Sequence, residues 1–307
     1  MTLLMIDGAL PARESSAGER ATFDLMEALH ALGHGVSFTA LGTNGKEQER
    51  LQALQAAGIT VLPGFGGGLT HLEEVLAQPW DTVIIHRPGP ALAAAAPLAA
   101  SGAVTLHWGH DIHLWRLQAQ QSWCGTVPVH KLRLTELVER RCWQAYDLTV
   151  YPTAREAEHV AASGGRAAAV PYYRLTALDL PALGPWSSRR GCLMVGAAFH
   201  APNADAVEFA VREILPLLNA EAFLTVVGEW PAEQRAPLQG PRVHFTGRVS
   251  EEELRRLHAE HLCLLAPLRF GAGARRKLVA AMGLGLPVLT THEGLRGLLV
   301  RDAGPTD

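Results

Sequence analysis

Two stretches of this 307-residue chain combine residue types and spacings that could do chemistry. The first is 264–298, LLAPLRFGAGARRKLVAAMGLGLPVLTTHEGLRGL. The apolar run Leu262–Ala266 reads as a buried strand, and Gly271 and Gly273 follow it as a loop. Arg275, Arg276 and Lys277 then open a small-residue helix that runs to about Leu284 and stops at Gly285 and Pro287. Strand, glycine turn and helix N-terminus together make a place for a phosphate: glycine lets backbone approach, and first-turn N–H groups favour an anion. Cations in a first turn oppose the helix dipole by about a few tenths of a kcal/mol each. A bound anion would account for them; so would a solvated basic face, and the residues alone leave both open.

The second stretch is the loop His107, Trp108, Gly109, His110, Asp111, Ile112, His113. It follows the strand Val104–His107, at the edge where open α/β sheets place ligands. A neutral histidine there could orient or deprotonate a hydroxyl near pH 7. Metal binding is not expected, because no helix bears two ligands and no fourth partner is evident.

The elements that must position these loops alternate regularly. Strands are expected at Leu3–Ile6, Val36–Ala40, Thr60–Leu62, Thr82–His86, Val104–His107 and Leu148–Tyr151. Helices are expected at about Glu19–Leu32, Glu47–Ala57, Leu69–Ala77, Gly89–Ser101 and Leu132–Ala145, the last with Glu136 and Glu139 on one side. Thr153 and Glu156 read as a capping box. After a Pro- and Gly-bearing linker, Tyr172–Arg190, the plan restarts with the strand Cys192–Val195, a turn at Gly196 and a helix from Ala204 to Leu218. The strands Phe223–Val227 and Val243–Phe245 and the helix Glu251–His258 lead to the basic loop. Such βα repetition predicts parallel sheets in two Rossmann-like domains, 1–175 and 186–307.

The basic loop resembles the donor site of GT4-type glycosyltransferases of the GT-B fold. The family pattern stands here as Gly271, Gly273, Arg275, Lys277, Ala281, Met282, Gly285, Pro287, Val288, Leu289 and Thr291. Gly196, His200, Pro202, Asn203, Asp205 and Ala206 fit a second motif, and Val243, Phe245, Gly247 and Val249 a third. Asp7, Pro11, Gly18, Arg20 and Phe23 match the family's opening loosely. Two departures stand out: the family's ribose-binding glutamate falls at Ala280, and its earlier glutamate at Ala272. Glu293 is the nearby candidate to replace the first. The resemblance spans nearly the whole chain, although the family's usual further helices do not follow Leu298–Arg301 before Asp307.

What the resemblance implies is α/β GT-B architecture, two Rossmann-like domains facing a cleft, the first for the acceptor and the second for a nucleotide-sugar donor. Sugar would pass to a hydroxyl of a glycan, a lipid-linked molecule or a small molecule, with retention. No metal or other cofactor is expected, since no D-x-D motif is visible. Donor contacts are expected from Gly18, Gly196, Phe245, Gly247, Gly271, Gly273, Ala274, Arg275 and Lys277, and catalytic ones from His110, Asp111 and His113. Rival readings are a relative that binds without turnover, a sugar-nucleotide epimerase, and a two-lobed binding protein.

Bulk properties narrow the field. A net charge of −3 gives no argument for nucleic acid. Cys124, Cys142, Cys192 and Cys263 are scattered without a C-x-x-C pair, as suits a reduced cytoplasm. Met1–Ile6 is too short and lacks the basic leader of a signal peptide. Lipid-linked acceptors leave room for peripheral membrane association, yet the basic residues of the first half are too dispersed to mark a membrane patch.

Overall fold

The computed structural model describes residues 1–13, 15–171, 184–273 and 275–298. The chain divides into two compact units, Met1–Gln118 with Thr126–Tyr172, and Ala119–Gly125 with Tyr173–Asp307.

The first unit runs β1 (Thr2–Asp7), α1 (Ala17–Ala31), β2 (Gly35–Ala40), α2 (Glu47–Ala56), β3 (Thr60–Val61), α3 (Gly68–Leu76), β4 (Thr82–His86), α4 (Pro88–Ala99), β5 (Val104–Trp108), α5 (His113–Cys124), α6 (Val129–Ala145), β6 (Leu148–Tyr151), α7 (Ala154–Ala162) and β7 (Ala167–Ala169). The second runs β8 (Cys192–Val195), α8 (Ala201–Phe209), β9 (Leu224–Val227), α9 (Ala232–Arg235), β10 (Val243–Gly247), α10 (Glu251–Glu260), β11 (Cys263–Ala266), α11 (Arg276–Gly283), β12 (Val288–Thr290) and α12 (His292–Leu295). Both sheets are parallel, ordered β3-β2-β1-β4-β5-β6-β7 and β10-β9-β8-β11-β12.

The strands are near-continuous apolar runs because helices cover both faces of a parallel sheet. Alternate side chains of one strand therefore enter different cores. Leu3 and Met5 pack with Phe23, Phe38 and Ile84, whereas Leu4 and Ile6 pack with Leu72, Val83 and Ala94. Met194 and Leu265 share a core with Trp230, and Leu193 and Leu264 share another with Leu278.

Strand order reverses direction at one place in each sheet. The chain leaves β1 for β2 on one side and returns to β4 on the other, so β1/β4 is a switch point, and β8/β11 is its counterpart. Loops on either side of a switch diverge and open a crevice at the strands' carboxyl ends.

Some features depart from expectation. Helix α5 was not foreseen; its first N–H groups are taken by Glu139, distant in sequence, so no local cap announces it. For the same reason Glu139 is wholly buried, while Glu136, one turn earlier, is exposed and paired with Arg140. The expected Ala204–Leu218 helix starts at Ala201 and passes through a π turn, Ala210–Ile214, into a 3₁₀ turn, Leu215–Leu217, where Pro216 has no N–H to continue the ladder. Of the expected linker, 172–183 lies outside the described residues, and a 3₁₀ turn spans Trp186–Ser188. Among the described residues no helix is long and apolar enough to cross a membrane.

Candidate functional site

Each switch point gathers polar groups. At β8/β11, Gly196 follows β8, Gly228 follows β9 and Gly247 ends β10. These loops touch: Gly228 N–H donates to Gly247 O at 2.9 Å, and Trp230 Nε1 donates to Gly196 O at 2.9 Å. Phe245 lies tilted against Trp230, with ring centroids 5.4 Å apart. Gly196 must be glycine, since a Cβ there would lie 2.5 Å from the Asn203 amide.

Asn203 is fixed at both ends. Its Nδ2 donates to Ala197 O at 3.2 Å, and its Oδ1 accepts from Lys277 Nζ at 2.7 Å. Lys277 as a residue is half-buried, but its ammonium end is enclosed. Burial, and secondly the Arg275 charge, lowers its pKa to about 7. Among the described residues it has no carboxylate partner; a buried ammonium beside a neutral amide is an unbalanced positive site. A small recess lined by Gly196, Asn203, Leu265, Ala266 and Lys277 lies next to it.

Arg275 precedes α11 and folds back over its own loop, donating from Nη1 to Ala272 O and to Gly273 O at 3.0 Å. Gly271 makes room for it; a Cβ there would lie 2.7 Å from Nη2. Ala274 lies outside the described residues. Asp205 pairs with Arg269 at 2.6 and 2.9 Å, tying α8 to the loop before Gly271. Ala280 is half-buried on α11, and the Glu293 carboxylate pairs with Arg296 at 3.1 Å.

At β1/β4 the first unit assembles Asp7 at the end of β1, His86 and Arg87 at the end of β4, and His110 after β5. Arg87 has φ 69° and ψ 151°, a region almost reserved for glycine and costing about 1–3 kcal/mol. Its Nε donates to both Asp7 oxygens, at 2.9 and 3.2 Å. Burial nonetheless keeps the Asp7 pKa above the usual carboxylate range.

The histidines form a short chain. Thr22 Oγ1 donates to Gly18 O at 3.2 Å, so its oxygen accepts from His86 Nδ1, also at 3.2 Å. That same N–H faces His110 Nε2 at 3.4 Å. His110 Nε2 is then an acceptor, and its proton sits on Nδ1, the atom that would be 3.5 Å from a Cβ on Gly18. Burial holds both rings neutral, well below the usual histidine range. Asp7, His86 and His110 also bring one ligand atom each within 4.8 Å of one another, the one such group among the described residues. Within this group Arg87 lies against the Asp7 carboxylate, 2.9 Å from Oδ1.

The remaining predicted residues lie beside this chain. Asp111 pairs with Arg116 at 3.0 Å and lies 3.6 Å from His113 Nε2. His107 is buried against Tyr146 and Tyr151, its pKa lowered by burial to about 3, and neither ring nitrogen has a hydrogen-bond partner among the described residues. Sequence reasoning missed His86 and Arg87 although it located β4; applying the carboxyl-end rule to that strand as well as to β5 would have flagged them.

Two doubly wound parallel units, each with polar groups at its switch point, define a pair of Rossmann-like units. Residues 16–176 match the family described as glycosyl transferase 4-like domain, and residues 189–304 match glycosyl transferases group 1. The chain belongs to this glycosyltransferase family. Among solved structures, Anabaena HepE in complex with UDP and glucose aligns with a TM-score of 0.70 at 14% identity, over 98% of this chain and 83% of that one. Sucrose-phosphate synthase from Thermosynechococcus elongatus aligns at 0.69 and 15% identity, over 96% and 83%. A UDP-N-acetylglucosamine 2-epimerase homologue from Listeria monocytogenes aligns at 0.55 and 17% identity, over 94% and 78%. At such identities the likeness speaks for the fold, which is GT-B. No curated protein matches the sequence.

Proposed function

We propose that this protein transfers a sugar from a nucleotide-sugar donor to an acceptor hydroxyl, with retention and without a metal. The observation that carries the proposal is Lys277, an enclosed ammonium whose one hydrogen bond among the described residues is to the neutral Asn203 amide. Its position, at a switch point and in the first turn of α11, suits the diphosphate of a leaving nucleotide. As the glycosidic bond breaks, charge grows on the β-phosphate. Lys277 and the backbone N–H groups of the Gly271–Gly273 turn would stabilise it, and Arg275 would shape the turn. In the first unit His110, neutral and protonated at Nδ1, would donate to a sugar hydroxyl beside Gly18 and orient it. HepE, a neighbour in fold, binds UDP, which supports uridine as the base to try first. The four free thiols suit action in the cytoplasm.

Thermal melts with nucleoside diphosphates test this. UDP at a hundred times its Kd should stabilise the native state by about 2.7 kcal/mol. K277M should abolish that gain while leaving the ligand-free protein at least as stable, because a buried charge is removed. Absence of a shift with every nucleoside diphosphate and nucleotide sugar, or an undiminished UDP shift in K277M, would overturn the proposal.

A further inference from the structure

We infer that Glu139 is a positioning residue: it fixes His110 by holding the backbone just beyond it. The inference rests on the hydroxyl-orienting role of His110 given above. Glu139 belongs to α6, is wholly buried, and reaches across to the start of α5. Its Oε1 accepts from His113 N–H at 2.7 Å and its Oε2 from Leu114 N–H at 3.0 Å. Glu156 of α7 accepts from Ile112 N–H at 3.2 Å. Three successive amides of the loop thus end on two buried carboxylates from two other helices. On the other side of His110, Gly109 N–H donates to Val150 O at 2.9 Å, and Gly109 lies so close to Tyr151 that a Cβ would come within 2.3 Å of its ring. His110 is clamped between these two fixed points.

A carboxylate is a costly choice for a buried cap, and the charges around Glu139 make it responsive. Burial raises its pKa to about 7, against the two backbone N–H groups that lower it. Asp111 in the loop raises it further and Arg116 on α5 lowers it. His113 faces it through its own amide; Cys142 lies one turn along α6, and Tyr151 of β6 and Glu156 of α7 complete the surroundings. The ionised form accepts from both amides with two oxygens, whereas the protonated form turns a hydroxyl toward one of them. The clamp on His110 therefore tightens as pH rises through neutrality.

Histidine-labelled protein observed by nitrogen NMR tests this, with H110Q and H113Q spectra to assign the rings. In the wild type the His110 and His113 ring signals should show a step centred near pH 7, although burial keeps both rings neutral there. E139Q replaces one acceptor oxygen by a donor. It should remain folded by circular dichroism, displace both sets of signals, abolish the step and leave the UDP-induced thermal shift in place. Ring signals and pH response identical to the wild type in a folded E139Q would overturn the inference. Should E139Q fail to fold, E139D keeps the charge and shortens the reach: the step should persist with displaced signals, and undisplaced signals would overturn the inference. Failure of UDP to bind the wild type would instead count against the proposed function, since the histidine spectra do not depend on a ligand.

Discussion

At β1/β4, Asp7 has Arg87 against it and Asp111 has Arg116. At β8/β11, the enclosed Lys277 has, among the described residues, an amide oxygen and no carboxylate. Both crevices arise from one topological device, the reversal of strand order. In the first, each of these carboxylates has a cation beside it. The second holds an enclosed amine beside a neutral amide, which the proposed function assigns to a ligand's phosphate. The difference teaches which crevice should respond to an anion and which to a mutation of its own partners.

Removing a cation should separate the two most sharply. R87M leaves the buried Asp7 carboxylate without its partner and should destabilise the protein by about 3 kcal/mol in denaturant unfolding. K277M should cost nothing by the same measure, and equal losses would erase the distinction. A smaller effect lies in the histidine chain. T22V keeps the shape but removes the acceptor for His86 Nδ1, and should cost about 1 kcal/mol by denaturant unfolding. Because His86 would then turn more fully toward His110, the His110 nitrogen spectrum should move in T22V and stay fixed in K277M.

The second crevice was the more legible in sequence. Its glycines and cations lie within Gly271–Lys277, a few residues apart, and the flanking strands are apolar runs that admit little ambiguity. The first crevice is assembled over distance. Asp7 and Arg87 are separated by 80 residues, and Glu139 meets Leu114 across 25. Neither pairing has a local signature, so the sequence shows no α5 and places Glu139 merely on one side of its helix with Glu136. Arg87's backbone strain is likewise a property of the folded chain, invisible in a list of residues. His110 stands out in the sequence because its strand does; the groups that contact it do not.

The account turns on the protonation of Lys277. Its folded pKa of about 7 lies below the usual lysine value of 10.5, so at pH 8 the ligand-free amine is mostly deprotonated. A bound diphosphate favours the charged form, so binding at that pH should take up close to one proton. Affinity should then fall by up to about tenfold per pH unit above neutrality. Titration calorimetry of UDP at pH 8, in two buffers of different ionisation enthalpy, measures this directly. The prediction is an uptake approaching one proton in the wild type and none in K277M; equal affinity for UDP in both, without proton uptake, would contradict the account.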